Sequence, residues 1–380
     1  MTSLTGTPAK TIALSGSANS PSTSIFDLRD DYTSTRGVST TPRLCVPGPG
    51  TTYFIQTDGT LTVGSNVLTF TAQSTPVWGD LGFYGDAQTR ATGLMLVAQM
   101  ALTTWEECGI GWHTAAAVID PDSAEHAIQF NTTNGRLDDE GGISLVTGLV
   151  ATDEIQLFLI LRSAGAYLVK SDGTNYRMLR LARAGSSATL YPIFSNLDAA
   201  GKIGSARVVQ LAAPWTTDNG IATSTLTPTH VAAQTYTHTA NTLISFVMDT
   251  VPAGGNHIVS FRKQDANNYW YLRITGGTGA ARIYTREGGV DTLRANISGA
   301  GNAGDVLEVK IEDDVATFYR NGASKTPSYT SALFASETDG AIENLGTTGA
   351  SSDLVALPIT PSAAAIAAIE AGLVSMPDLS

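Results

Sequence analysis

Between Asn256 and Gly322 the chain alternates apolar and polar residues with a period of two, in short runs separated by turn signals. Few folds accept that pattern. The run His257–Phe261 leads through the polar turn Lys263–Asn268 into YWYLRI, where Trp270, Leu272 and Ile274 fall on one face and Tyr269, Tyr271 and Arg273 on the other. Further on, Leu307, Val309 and Ile311 alternate with Glu308 and Lys310, the chain turns at Asp313-Asp314, and Asn321-Gly322 closes the next run. A strand with one apolar and one polar face belongs to an antiparallel sheet packed on one side and solvated on the other.

Composition narrows the setting. With 380 residues the chain is long enough for two domains with separate cores, and 42% hydrophobic content excludes wholesale disorder. Lys and Arg total 22 against 34 Asp and Glu, and no basic run occurs, so phosphate neutralisation is a poor basis for function and no nucleic-acid partner is expected. No apolar run approaches the roughly 20 residues of a membrane helix, so no membrane insertion is expected. The first residues hold one early Lys and no apolar stretch, and a secretory signal is not expected. Cys45 and Cys108 lack metal-ligand spacing and read as two free thiols, one disulfide being the alternative.

Taken in order, residues 1–44 read as an extended arm, Thr/Ser/Gly-rich over its first 24 residues. Residues 45–213 hold about a dozen short strands, among them Thr52–Thr57, Val67–Ala72, Gly93–Ala98, Ala127–Asn131, Ile155–Arg162, Tyr167–Lys170 and Ala206–Ala212. Residues 214–230 form a Thr/Asn/Gly/Pro linker, 231–359 a second strand-rich block, and 360–380 a short helix and tail, with Ser362 as N-cap and Gly372 as stop. The blocks read as copies of one unit. Asp153–Leu161 with Asp172-Gly173 matches Gly304–Ile311 with Asn321-Gly322, and His126, Ile128 and Phe130 fall where Trp270, Leu272 and Ile274 fall. The loop His113–Ser123 is longer than its counterpart. The expected fold class is all-β: two tandem antiparallel jelly-roll sandwiches with an N-terminal arm and a C-terminal helix. An isolated helix this short is marginal in water, so both chain ends are expected to pack on other subunits.

FRKQDANNYWYLRI, IYTREGG and GDVLEVKIEDDVATFYRNG together resemble the concanavalin A-like (laminin G-like) jelly-roll modules common in tailed-phage virion proteins, most closely over residues 231–358. In those modules an Arg, an Asp-Asn-Tyr/Trp run and a late Asn-Gly hairpin recur in this order. The resemblance implies a structural protein at the surface of a phage particle (a decoration, fibre or tail-associated component), with other virion proteins and further copies of itself as partners. It does not imply an activity.

Three chemistries compete on the residues themselves. Tyr269, Tyr271 and Arg273, extended by Arg282 and Tyr284, suit a host-surface glycan: rings stack on sugar C–H faces and guanidinium donates to hydroxyls. The plainer reading is a ladder of cross-strand pairs or a subunit contact. The first block carries Glu125, Ala127 and Gln129 there, so binding is expected on the second. No cofactor is expected, save that Asp120, Asp122, Asp138 and Asp139, read in loops beside Glu140, are weak calcium candidates, although no Asp-x-Asp-x-Asp-Gly loop occurs. Glycosidases of this fold carry Glu-x-Asp-x-x-Glu; Glu337-Thr-Asp339 begins that motif, but Ile342 takes the last position and Glu343 comes one residue late. Hydrolysis is the remote reading and no catalytic residue is assigned. The five histidines form no ligand set and read as structural.

Overall fold

The computed structural model of the protein describes Phe26–Asp27, Arg36–Gly37, Arg43–Leu44 and most of residues 51–372; the widest segments left out of that range are 147–153, 216–223 and 227–233. The chain divides into two compact units, one of residues 1–220 and 363–380, the other of residues 221–362. Every described strand pairing is antiparallel and the only described α-helix is Ala363–Gly372, so the all-β fold class holds.

In the second unit one six-stranded sheet runs in the order Gln234–Thr237, Asp339–Gly346, Gly255–Phe261, Tyr269–Thr275, Ala280–Glu287, Val290–Ala300. The facing six-stranded sheet runs Ser224–Leu226, Ala350–Pro358, Thr242–Thr250, Val306–Glu312, Val315–Arg320, Ala323–Thr330. Strands adjacent in space are often distant in sequence, which is the jelly-roll connectivity. Alternation decides what lies between the sheets: Val259, Phe261, Trp270, Leu272, Ile274 and Ile283 from one meet Ile244, Phe246, Leu307, Val309, Ile311 and Phe318 from the other. Glu308, expected to face solvent, is instead buried and accepts a 3.3 Å hydrogen bond from Ser245 Oγ.

The first unit has two nine-stranded sheets around a core that includes Phe54, Phe83, Leu96, Ile110, Trp112, Ile128, Leu157, Leu159 and Phe194. Its strands Cys108–His113, His126–Asn131, Arg136–Asp139, Ser144–Val146 and Thr189–Asn196 follow the same order as Gly255–Phe261, Tyr269–Thr275, Ala280–Glu287, Val290–Ala300 and Asp339–Gly346 in the second. Cys108 is a free thiol buried in this core, and burial pushes its pKa well up. Cys45 and residues 1–24 lie outside the described residues.

Two expectations change at the seams. The stretch read as linker contains a buried Trp215 and the strand Ser224–Leu226, paired with Ala350–Pro358. The C-terminal helix finds its partner within its own chain. It belongs to the first unit, where Ala365, Ala368 and Ile369 are buried and the Trp215 indole N–H donates 2.8 Å to the Ala365 carbonyl. Trp215 in turn meets the edge of Tyr167 at 6.0 Å between ring centroids. A surface on the first unit thus supplies the tertiary contact that a marginal helix needs. Ile369→Asp should lower the first unit's calorimetric transition by roughly 3 kcal/mol and leave that of the second in place; unchanged transitions would return the helix to an external partner.

Candidate functional site

Strand register builds the candidate face of the second unit. Because Trp270, Leu272 and Ile274 turn inward, Tyr269, Tyr271 and Arg273 turn outward, and the register sets them against Arg286, Tyr284 and Arg282 in that order. All five sequence-predicted residues therefore share one face. The expectation that the rings are exposed is corrected: Tyr269, Tyr271 and Tyr284 are only 9%, 3% and 8% exposed. They cover one another. Tyr271 and Tyr284 stack with centroids 5.1 Å apart and planes at 9°, and Tyr269 meets Tyr271 at 5.5 Å. Burial raises the pKa of both Tyr269 and Tyr271, so the hydroxyls stay protonated donors at neutral pH.

Cations lie on and beside these rings. The Arg273 guanidinium lies 4.1 Å over Tyr284 and donates to its hydroxyl. Lys263 and Arg286 approach the Tyr269 ring at 5.7 and 6.0 Å. Arg282 Nε donates 3.1 Å to Asn296 Oδ1, and Arg286 pairs with Asp291 at 3.3 Å. The result is a rigid aromatic floor carrying fixed donor groups. It can hydrogen-bond an oxygen-rich ligand, but the ring faces are already taken by other rings and by cations.

Sequence reasoning missed the importance of Arg262. It is 1% exposed, has a left-handed φ of 48°, lies 5.0 Å over the Trp270 ring, and donates to the carbonyls of Ser331 (3.2 Å) and Asp313. His238 Nε2 accepts its backbone N–H at 3.1 Å. This arginine ties the end of one sheet to loops of the other. Its place in the FRKQDANNYW run was the available signal, and its role there is architectural.

The matching face of the first unit is closed. Where the second unit has Tyr271 the first has Ala127, and the longer loop after His113 folds back so that Ile119 and Ala124 pack on Ala127 and Ile193. Glycine makes room: a Cβ on Gly109 would lie 2.6 Å from Pro121 Cγ, and one on Gly82 2.8 Å from Ile119 Cδ1. Glu125, expected on a solvated face, is buried in an ion pair with Arg90, and its carboxylate also accepts from Ser187 N at 3.0 Å. Nothing in the sequence marks Arg90.

His126 shares that pocket, with Nε2 2.9 Å from Arg90 Nη2. Burial, reinforced by Arg90 and opposed by Glu125, lowers its pKa to about 4. An unfolded histidine titrates near 6.5, so between those values the unfolded chain binds a proton that the folded chain does not. The stabilisation is therefore whole above about pH 6.5 and is lost as pH falls toward 4, by roughly 3 kcal/mol. Thermal unfolding of the first unit should shift downward over that interval, and His126→Gln should flatten the shift; an unaltered slope would place its origin elsewhere.

The other candidates disperse. Asp120 accepts from Asp122 N (3.0 Å) and Ser123 Oγ (3.2 Å), and Asp122 accepts from Gln129 Nε2 (2.6 Å), so both carboxylates are engaged within the chain. Asp138 and Asp139 lie in the strand Arg136–Asp139 and not in a loop, because that segment pairs with His126–Asn131; their side chains fall outside the described residues. No cluster of three or more metal-ligating side chains occurs among the described residues. Of the glycosidase-like motif, Ile342 is core, Glu343 lies on the opposite face, and Glu337 precedes the strand.

No family model and no curated protein matches the chain. Among solved structures it is similar to the carbohydrate-binding module CBM66 from Bacillus subtilis, at 13% identity and a TM-score of 0.29 over 36% of this chain and 95% of that one. Sheep galectin-11 aligns at 9% identity and 0.28 over 34% and 99%. Domains LG4-5 of the mouse laminin alpha1 chain align at 11% and 0.24 over 85% and 90%.

Proposed function

We propose that the protein is a non-enzymatic surface component, set by its sequence resemblance in a phage particle, whose second unit binds a saccharide on the Tyr/Arg face. One observation carries the reading. Equivalent sheet faces are treated oppositely, the first sealed by its own loop and the second left with Arg282, Asn296, Arg286 and Asp291 at its surface. Fixed guanidinium and amide donors on a rigid floor suit hydroxyl-rich ligands, since little side-chain freedom is lost on binding. A second reading, contact with another particle subunit, is favoured by the exposed Leu293 and Leu345 on the same sheet. A glycan array separates them. The intact chain should give a saccharide signal that Arg282→Ala/Asn296→Ala removes without lowering the melting temperature. No signal, with particle incorporation lost in that variant, would instead support the subunit contact.

A further inference from the structure

The register places Arg273 directly opposite Arg282. Like charges directly opposite on adjacent strands destabilise a sheet, and this chain has acidic side chains to spare, 34 against 22 basic. Yet among the described residues neither arginine has a carboxylate within 4.0 Å: Arg273 is held by the Tyr284 ring and hydroxyl, and Arg282 by the neutral Asn296 amide. Elsewhere in the unit Arg262, Arg286, Arg294, Lys310 and Arg320 each have a carboxylate within 4.0 Å, Arg294 with Glu287 at 2.6 Å and Arg320 with Asp305 at 2.9 Å. The Nε of Arg273 is in addition buried and has no hydrogen-bond partner among the described residues.

We infer that the Arg273–Arg282 pair is the recognition point for the carboxylate of an acidic saccharide, such as a uronic acid. The inference rests on the saccharide-binding reading of this face. A guanidinium fork matches a carboxylate geometrically, and two forks held apart by a ring and an amide are organised before the ligand arrives. The exposed Asn296 amide supplies a neutral partner for a sugar hydroxyl, whereas the hydroxyls of Tyr269, Tyr271 and Tyr284 are already engaged by Arg286, Asp291 and Arg273. A long polyanion is disfavoured by the net charge of −12, which leaves a locally charged sugar as the better fit. Repulsion between the arginines is relieved when the ligand's carboxylate lies between them.

The test uses the intact chain and matched probes, trigalacturonate against galactotriose and sialyllactose against lactose, at low ionic strength. At least one acidic probe should bind about tenfold or more tighter than its neutral partner. Arg282→Glu should abolish that preference and also raise the melting temperature of the second unit by about 2 °C, because it converts a repulsive cross-strand pair into an attractive one. Arg282→Gln should lose the preference with a smaller rise. Equal affinity within both probe pairs overturns the acidic specificity and leaves the saccharide reading standing; binding of no probe overturns both. Retained preference in Arg282→Glu, or binding of a single-stranded oligonucleotide in place of the sugars, also overturns it.

Discussion

Trp270→Ala should lower the stability of the second unit by roughly 3–5 kcal/mol. The ring is fully buried between the sheets, 6.1 Å from Phe261 and 4.9 Å from Tyr329, with Arg262 stacked at 5.0 Å. Removing it leaves a cavity and takes the aromatic face from a buried guanidinium whose backbone is already held in the left-handed region. Tyr271→Ala on the opposite face should cost less, roughly 2–3 kcal/mol, because its ring is stacked and buried on the outer side. Sequence alone predicts no more than about 0.5 kcal/mol there, the usual figure for an exposed position. Chemical denaturation followed by circular dichroism distinguishes the two cases; tryptophan fluorescence does not serve here, because Trp270 is the one tryptophan of residues 221–362. A cost under about 1 kcal/mol for Trp270→Ala would mean that this ring is not the centre of the second core.

Glu125→Ala should be comparably damaging to the first unit, at roughly 3–5 kcal/mol, by a different mechanism. Arg90 and Glu125 are both buried, at 7% and 5% side-chain exposure. Truncating the carboxylate leaves a guanidinium without its counter-charge and also frees the Ser187 N–H it accepted. Arg90 retains bonds to the carbonyls of Ser187, Arg162 and Gly165, but these neutral acceptors do not replace a charge. Removing both partners, as Arg90→Met/Glu125→Leu, should recover much of the loss, since a buried pair is often replaceable by apolar residues of similar volume. Equal destabilisation by the single and double variants would show that hydrogen-bond geometry, and not charge, holds this corner.

Much of the fold was legible because one signal, the period-two alternation, is local and tied directly to burial. Trp270, Leu272, Ile274, Leu307, Val309 and Ile311 are all core, and strands read as Ile155–Arg162 and Ala127–Asn131 appear as Glu154–Leu161 and His126–Asn131. What alternation cannot tell is what covers the outer face. Tyr271 counts as exposed in a single strand and becomes buried only when Tyr284, 13 residues on, stacks against it across the register. Glu125 likewise joins Arg90, 35 residues earlier, through a loop whose path no propensity describes. The helix Ala363–Gly372 was legible as a helix, but its docking on Trp215 depends on a contact 150 residues apart in sequence. Strand register thus puts the five residues on one face as the alternation implied, whereas the exposure expected of the three rings is not found.

On the proposed reading, the sheet of the second unit that carries the Tyr/Arg face, and not its counterpart in the first unit, meets the ligand. Arginine modification of the intact chain by phenylglyoxal, mapped by mass spectrometry with and without a saccharide that scores on the array, tests it most directly. The saccharide should protect Arg282 and Arg286, while the rate at Arg320, on the facing sheet of the same unit, stays the same. Unchanged modification of Arg282 and Arg286 at saturating saccharide would contradict it.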